Sequence, residues 1–394
     1  VKNKEVRNLY AWRIALYDVR QAYVGQQGNV QYYQNYKHYT GEHTYRIVVT
    51  DTEGTIISVR DTAFGNADKE YGCEEYRQPD ARLLMVGHQE QVQAALASAG
   101  APLDRIEIVH ATEVVAMDEA PQHALKNKKD SSMRIAIEQV KGGKAQAAVS
   151  AGNTGALMAT ARFVLKTLPH IERPAIAKFL PAQGGHLTLM LDLGANVDCS
   201  AEQLWQFAVL GSELFNALHS QKQPARVGLL NIGSEDIKGT EVVKQAFGLL
   251  KNSSLNFIGN VESNEIFGGG VDVVVADGFV GNIALKTMEG TVKFIGGAIK
   301  EELNRNWLTK LGALGALPAL GGFKKRLDPR RFNGAIFLGL RGVVIKSHGG
   351  TDAVGFAYAL DEAYHEAQSN SLERIAAGVA QRFATAEASD GQPQ

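Results

Sequence analysis

One stretch of the chain, residues 145–165, restricts the available folds more than any other feature. Small and apolar residues lead to Ser150, a polar glycine turn follows at 152–155, and apolar residues then return at helical spacing. This order predicts a buried strand, a tight turn and a helix. The first amides of a helix have no partner within it and carry partial positive charge, so the turn predicts a place for an anion such as phosphate.

The same succession of apolar run, polar glycine turn and helical segment recurs four more times. The later turns are at 194–199, 231–239, 277–282 and 347–352. Strands that alternate with helices of this length predict a largely parallel sheet with helices on both faces, an α/β fold of three layers, α/β/α. The ligand crevice of such folds lies at the carboxyl ends of the strands, so we expect the five turns to surround one composite active site.

The apolar patterns also predict a coarse domain organisation. Residues 1–80 are predicted to be a divergent N-terminal segment with a strand at 46–50, and residues 81–368 to be the main α/β domain. Residues 369–394 form a tail that is expected to add one more helix. Within the domain, strands are predicted at 83–87, 106–109, 145–150, 186–193, 227–230, 257–259, 271–276 and 335–346, with helices that include 201–218, 241–250 and 283–303.

Composition narrows the class of function. The 394 residues are 45% hydrophobic, which is typical of a soluble globular protein. The net charge of −1 gives no overall positive potential that would attract nucleic acid. The two cysteines, Cys73 and Cys199, are far apart and form no CxxC motif, which favours a reducing compartment. The first residues lack the uninterrupted apolar core of a signal peptide. The sequence also contains no apolar run of about 18 residues that could span a bilayer, so we expect a cytoplasmic protein.

Several familiar catalytic motifs are absent from the sequence. It contains no GxxxxGK(S/T), no GxGxxG after a strand, no GxSxG and no HExxH. Histidines do not cluster at metal-binding spacing, so we expect neither a metal nor a cofactor. Cys199 is interpreted as a packed small residue rather than a nucleophile, because no basic partner lies near it in the sequence.

Residues 303–332 form a separate apolar and basic segment. An apolar run at 308–320 is flanked by the basic residues Lys324, Lys325, Arg326, Arg330 and Arg331. The run is too short to span a membrane, but such a segment can rest among the headgroups of an anionic membrane. A buried helical hairpin or a dimer contact is an equally good interpretation of the segment.

Five motifs, in this order, closely resemble those of the PlsX family of bacterial acyl-ACP:phosphate acyltransferases: SAGNTGALMA, DLGANVD, LLNIGSEDIKG, DGFVGNIALKTMEG and KSHGGTD. The resemblance covers about residues 80–368. It implies an α/β/α fold similar to isocitrate and isopropylmalate dehydrogenases and to phosphotransacetylase. It also implies acyl transfer from acyl carrier protein to inorganic phosphate for phospholipid synthesis, by a homodimer in peripheral contact with the membrane. The family's N-terminal DAMGGD-type turn has its nearest counterpart at 49–55, which keeps only an acid and a glycine.

The reaction that the resemblance implies needs phosphate placed against a thioester carbonyl. Positioning and stabilisation of the oxyanion could supply most of the rate, because phosphate is already a nucleophile and a thiolate leaves readily. Phosphate is assigned to Asn153 and Thr154, with Lys286 as the counter-charge. The oxyanion or the pantetheine is assigned to the remaining amide and hydroxyl side chains, Asn231, Ser234 and Asn282.

Other candidates supply charge, protons or orientation. Lys238 is expected to neutralise charge, and His348 is the expected proton donor to the leaving sulfur. The groups predicted to orient these donors or to contact the substrate are Asp192, Asn196, Asp198, Glu235 and Asp277. Of the whole set, Asn231, Lys286 and His348 are taken as catalytic and the others as substrate-binding.

Two other functions remain open from the sequence. One is a phosphotransacetylase-like enzyme that acts on a short acyl-CoA. The other is a non-catalytic protein that binds acyl-ACP or a lipid surface.

Overall fold

The computed structural model describes residues 45–50, 81–99, 105–219 and 223–390. Most of the predicted N-terminal segment 1–80 and of the turn sought at 49–55 therefore lies outside the described residues. The strands are β1 (Tyr45–Thr50), β2 (Ala81–Gly87), β3 (Ile106–His110), β4 (Ala147–Ser150), β5 (Ala175–Pro181), β6 (Leu187–Leu191), β7 (Val227–Leu230), β8 (Phe257–Val261), β9 (Val273–Val275), β10 (Ala335–Leu338) and β11 (Val343–Lys346). The helices are α1 (Gln89–Ala99), α2 (Pro121–Asn127), α3 (Ser132–Lys141), α4 (Thr154–Leu165), α5 (Ala201–Leu218), α6 (Glu241–Lys251), α7 (Gly278–Asn304), α8 (Trp307–Leu327), α9 (Ala353–Gln368) and α10 (Ser371–Asp390).

The described strands form one sheet between two layers of helices. The strand order is β3-β2-β1-β4-β11-β10-β5-β6-β9-β7-β8. On one face of the sheet the core contains Phe207 of α5 and Phe356 of α9. On the other face it contains Leu157 of α4, and Met288 of α7 packs against the same cluster. Strands covered on both faces are expected to be apolar, as β7 is throughout and as β4 and β11 are up to their last residues, Ser150 and Lys346. The three-layer α/β/α fold predicted from the sequence is thus confirmed.

Antiparallel contacts divide this sheet into two halves that run in opposite directions. Strand β10 pairs antiparallel with both β11 and β5, and β5 pairs antiparallel with β6. The other strand pairs are parallel. The carboxyl ends of β4 and β11 therefore lie at one edge, and those of β6, β7 and β9 lie at the opposite edge. The expectation that all five glycine turns share one edge is wrong.

Strand β5 is missing from the sequence-based predictions, and it takes part in this reversal. Its sequence AIAKFLP follows Pro174 and ends at Pro181, and Lys178 interrupts its apolar run. Lys178 alternates with Ile176 and Leu180, both of which are buried. A lysine therefore occupies a strand position that faces the helical layer, where the pattern alone predicts an apolar residue.

Helix α7 begins at Gly278 rather than near residue 283, where the sequence predicted it. Asp277, and not Asn282, caps the helix: its carboxylate accepts a hydrogen bond of 2.8 Å from the N–H of Val280. The helix expected in the C-terminal tail is present as α10. Within the described ranges, no helix has both the length and the apolar character that crossing a membrane requires.

Candidate active site

Asp192 anchors the turn that follows β6. Its side chain is fully buried, and it accepts hydrogen bonds from the N–H groups of Ile176 (2.9 Å), Ala195 (3.0 Å) and Asn196 (2.7 Å). The Asn196 side chain donates to the same carboxylate at 2.9 Å and to the carbonyl of Pro174 at 2.8 Å. Burial raises the pKa of the Asp192 carboxyl, and these hydrogen bonds oppose the rise. The structure thus uses both predicted site residues to hold the turn together.

The start of α7 lies directly on the turn after β6. The N–H of Gly278 donates to the carbonyl of Asn196 at 2.7 Å. A Cβ atom added at Gly281 would lie 1.9 Å from the carbonyl oxygen of Asp192, so this approach requires glycine. Asp198, two residues after Asn196, is exposed. The turns after β6 and β9 therefore form one group.

The turns after β4 and β11 form a second group. The N–H of Ser347 donates to the carbonyl of Ser150 at 2.9 Å. Asn153 caps α4, and its side-chain N–H group donates to the carbonyls of Met117 (2.9 Å) and Glu119 (2.8 Å). The side-chain amide of Asn153 is therefore already bonded to the neighbouring loop. Of the two predicted phosphate ligands, this leaves Thr154, which is exposed at the start of the helix.

Helix α7 contacts the turn after β6, and Lys286 on this helix interacts electrostatically with His348 in the turn after β11. A Cβ atom added at Gly194 would lie 3.6 Å from the Cβ of Asn282, so the exposed Asn282 packs beside the turn after β6. Lys286 follows one helical turn later and Glu289 almost one turn after that, on the same side. The Nζ of Lys286 lies 2.8 Å from Oε2 of Glu289.

A basic cluster surrounds this side of α7, and we define it as Lys178, Lys286, Lys346, His348 and the carboxylate of Glu289. Burial lowers the pKa of Lys346 to about 8, and the charge of Lys286 adds to the effect. Burial also lowers the pKa of Lys178, while the charge of Glu289 opposes this. Burial raises the pKa of Glu289, but the hydrogen bond from Lys286 and the positive charges of the cluster outweigh this and hold the pKa below its usual value.

His348 is held by its own backbone surroundings. Its Nδ1 accepts a hydrogen bond of 3.0 Å from the N–H of Gly350, and its main-chain N–H donates to the side-chain oxygen of Asn333 at 2.9 Å. With Nδ1 as an acceptor, the neutral ring carries its proton on Nε2. Burial and then the charge of Lys286 lower the pKa of His348, which favours this neutral form. The ring is therefore better suited to donate a hydrogen bond than to protonate a leaving sulfur.

The turn after β7 is shaped by Asn231. Its side-chain N–H group donates to the carbonyl of Lys238 at 3.0 Å, and its side-chain oxygen accepts from the N–H of Ile232 at 2.8 Å. The side chains of Ser234, Glu235 and Lys238 are exposed. The geometry therefore makes Asn231 a residue that positions Lys238 and its neighbours.

A cavity of about 1650 Å³ lies along the other flank of α7. Asn231 and Asp277 line it together with mostly apolar side chains, among them Leu180, Met190, Leu230, Ile266, Val280, Ile283 and Met288. On α7 the lining positions 280, 284, 287 and 291 share one side of the helix, whereas 282, 286 and 289 lie on the opposite side. Helix α7 thus stands between an apolar cavity and the basic cluster.

Cys199 has no sign of activation as a nucleophile. Its Sγ lies 3.5 Å from the carbonyl of Asn196. Burial, and then the negative charge of Asp192, raise the pKa of the thiol to about 12. A thiol with this pKa stays protonated, which agrees with its interpretation as a packed residue.

Sequence reasoning missed three members of the basic cluster, namely Lys178, Lys346 and Glu289. Lys346 ends an apolar strand and opens the KSHGGTD motif, and this position was the available signal. Its Nζ lies 3.4 Å from the carbonyl of Ala151, beside the start of α4. Glu289 lies within the DGFVGNIALKTMEG motif, which was its available signal. Lys178 gave no local signal, because only strand register and helix packing bring it to the cluster.

Known proteins resemble this chain over most of its length. The family described as "Fatty acid synthesis protein" matches residues 73–374. The phosphate acyltransferase of Neisseria meningitidis serogroup B is 69% identical over 309 residues, which are 78% of this chain and 88% of that protein. The phosphate acyltransferase of Chromobacterium violaceum is 60% identical over 306 residues, 77% of this chain and 88% of that protein.

The fold also has solved counterparts. A phosphotransacetylase from Streptococcus pyogenes matches with a TM-score of 0.51 at 16% identity, covering 83% of this chain and 94% of that one. This likeness shows the fold alone. The family match and the sequence relatives confirm the resemblance drawn from the five motifs: the chain belongs to the fatty acid synthesis protein (PlsX) family, whose curated relatives are phosphate acyltransferases.

Proposed function

We propose that this enzyme transfers a fatty acyl group from acyl carrier protein to inorganic phosphate, forming acyl phosphate for phospholipid synthesis. The observation that carries the proposal is the 69% identity with a phosphate acyltransferase over 78% of the chain. The apolar cavity beside α7 supports it, because a long acyl chain needs a concave apolar site.

The reaction forms one bond and breaks another without a covalent enzyme intermediate. A phosphate oxygen attacks the thioester carbonyl carbon, and the carbon–sulfur bond then breaks to release the carrier's thiolate. The thiolate needs no acid to leave, since the pKa of such a thiol is about 8.5. We assign phosphate to the start of α4 at Thr154 and to Lys286, and the oxyanion to the Nε2–H of His348 and to Asn282.

The test is thiol release from acyl-ACP by the full-length chain, with and without inorganic phosphate. We expect release from palmitoyl-ACP only when phosphate is present, and much slower release from acetyl-CoA. Preference for acetyl-CoA would instead support the phosphotransacetylase-like alternative. Binding of acyl-ACP without any phosphate-dependent release would support the non-catalytic alternative.

Replacement of Asn231 by alanine should lower turnover about tenfold, because it removes both hydrogen bonds that hold the turn containing Lys238. The measurement is kcat for phosphate-dependent thiol release, with the midpoint of thermal unfolding checked in parallel. If Asn231 acts by positioning Lys238, Lys238→Met should cause a similar loss and the double variant little further loss. Near wild-type turnover of Asn231→Ala would remove this residue from the site.

We also propose that the start of α8 makes peripheral contact with an anionic membrane. Trp307 and Leu308 are 70% and 60% exposed there, and the sequence at the other end of α8 is basic. Arg330, which the sequence suggested as part of the basic flank, instead pairs with Asp328 at 2.6 Å and Asp352 at 2.9 Å.

Leu308→Glu should reduce sedimentation of the protein with vesicles that contain phosphatidylglycerol, because it places a charge in the proposed contact. Turnover on acyl-ACP in solution should stay unchanged. Ile258→Glu is the matched control, since Ile258 is an exposed apolar residue of β8 and lies outside α8. Unchanged sedimentation of Leu308→Glu would favour a buried hairpin or a dimer contact for this segment.

We further propose a homodimer, as the family resemblance implies. Exposed apolar side chains on α7, including Phe279 and Phe294, support it, because an unpartnered apolar surface is typical of an interface. Light scattering should give a mass of twice 42.6 kDa, and a mass of 42.6 kDa would contradict the proposal.

A further inference from the structure

Glu289 is a carboxylate held among cations at a place where the proposed reaction needs an anion. Its side chain is 17% exposed, and it lies 2.8 Å from the Nζ of Lys286, which is 53% exposed. The charge of Lys178 also acts on it. A carboxylate and a phosphoryl group both accept hydrogen bonds from such donors, so Glu289 marks a position suited to a substrate anion.

The backbone directs Lys178 toward this position. Ile176 and Leu180 flank it in β5 on the same face, and both are buried in the core cluster against which Ala284 and Met288 of α7 pack. Because alternate residues of a strand point to the same face, Lys178 extends into the layer that contains α7. Its lowered pKa, caused first by burial, agrees with this placement.

Strand register places a second lysine beside it. Ala335 of β10 pairs with Lys346 of β11, and the pairing of Ile336 with Ala177 continues to bring Ala335 opposite Lys178. The two lysines are therefore two strand spacings apart, about 10 Å, with only an alanine between them. Lys346 in turn contacts the carbonyl of Ala151, next to the start of α4.

We infer that Lys178 and Lys286 form a binding site for a phosphoryl group, and that the carboxylate of Glu289 occupies this site until the phosphoryl group displaces it. The inference rests on the proposed function and adds Lys178 and Glu289 to its site. The phosphoryl group belongs either to inorganic phosphate or to the phosphodiester of the carrier's prosthetic arm. A phosphate dianion brings more charge and more acceptor atoms than one carboxylate, so it competes well for these donors.

Two variants test the inference in opposite directions. Lys178→Met keeps the apolar stem but removes the charge, and it should raise the KM for inorganic phosphate about tenfold. Glu289→Gln removes the competing charge and should lower the same KM. If the phosphoryl group is that of the carrier's arm, the KM for acyl-ACP should move in these directions instead. Unchanged values of both constants, or a raised KM in Glu289→Gln, would overturn the inference.

A second readout does not depend on turnover. Inorganic phosphate should raise the midpoint of thermal unfolding of the wild-type protein, and Lys178→Met should reduce this increase. Lys178→Arg keeps the charge and should keep both the phosphate-dependent increase in the unfolding midpoint and the KM for phosphate. This control separates the loss of the charge from a folding defect. Lys300→Met removes an exposed lysine farther along α7 and should change neither. A wild-type protein without phosphate-dependent thiol release would refute the proposed function itself.

Discussion

Gly281→Ala should destabilise the protein by about 3 kcal/mol, the upper end expected for forcing an extra methyl group into a packed site. The added Cβ would lie 1.9 Å from the carbonyl oxygen of Asp192, which is a backbone atom. That backbone cannot move easily, because the Asp192 side chain accepts hydrogen bonds from the main-chain N–H groups of Ile176, Gly194, Ala195 and Asn196 and from the side chain of Asn196. The measurement is the free energy of unfolding in urea.

Gly290→Ala is the matched control on the same helix. No atom lies within 4 Å of a Cβ added there, and alanine is favoured over glycine in a helix by about 1 kcal/mol. This variant should therefore unfold at a higher urea concentration. Wild-type stability of Gly281→Ala would show that α7 can move away from the turn after β6, and the assignment of Asn282 and Lys286 to one site would then lose its support.

Asp192→Asn should cost about 3 kcal/mol although it preserves the size of the side chain. One carboxylate oxygen becomes an NH₂ donor that faces N–H groups, so buried donors lose their acceptor, at about 1–3 kcal/mol for each. Turnover should fall with stability, because the same turn supports the start of α7.

Asp198→Asn serves as the comparison in the same turn, since Asp198 is exposed and should tolerate the change. Urea unfolding and thiol release, measured on both variants, separate two roles for Asp192. If Asp192→Asn kept wild-type stability but lost turnover, Asp192 would orient the donor groups or contact the substrate, as the sequence predicted, and its structural role would be secondary.

The sequence predicted the regular elements best where they are long or uniformly apolar. Helix α5 and strand β7 have the predicted bounds, because their apolar patterns end at clear polar or glycine signals. Strand β5 gave no such pattern, since Lys178 sits at an inward-facing position between two prolines. The reversal of the sheet could not be predicted either, because strand direction depends on pairing between distant segments and not on local composition.

The candidate site shows a different limit. Polar residues in a turn either satisfy the chain's own amides or bind a ligand, and residue type alone does not separate the two uses. Asn153, Asp192, Asn231 and Asp277 all bond to the protein itself in this structure. The assignment of Lys286 and His348 to catalysis stays a prediction, and their grouping with Lys178 became visible only from the strand register and the packing of α7.

The position of α7 has a consequence for the product. Acyl phosphate would join an apolar acyl chain in the cavity to a phosphate group on the opposite side of α7. The bound product must therefore bend around the start of this helix. The cavity would then set the preferred length of the acyl chain, and the basic cluster would set the affinity for phosphate. Bulkier residues at Ile283 or Met288 should shorten the preferred fatty acid while the enzyme's demand for phosphate stays the same.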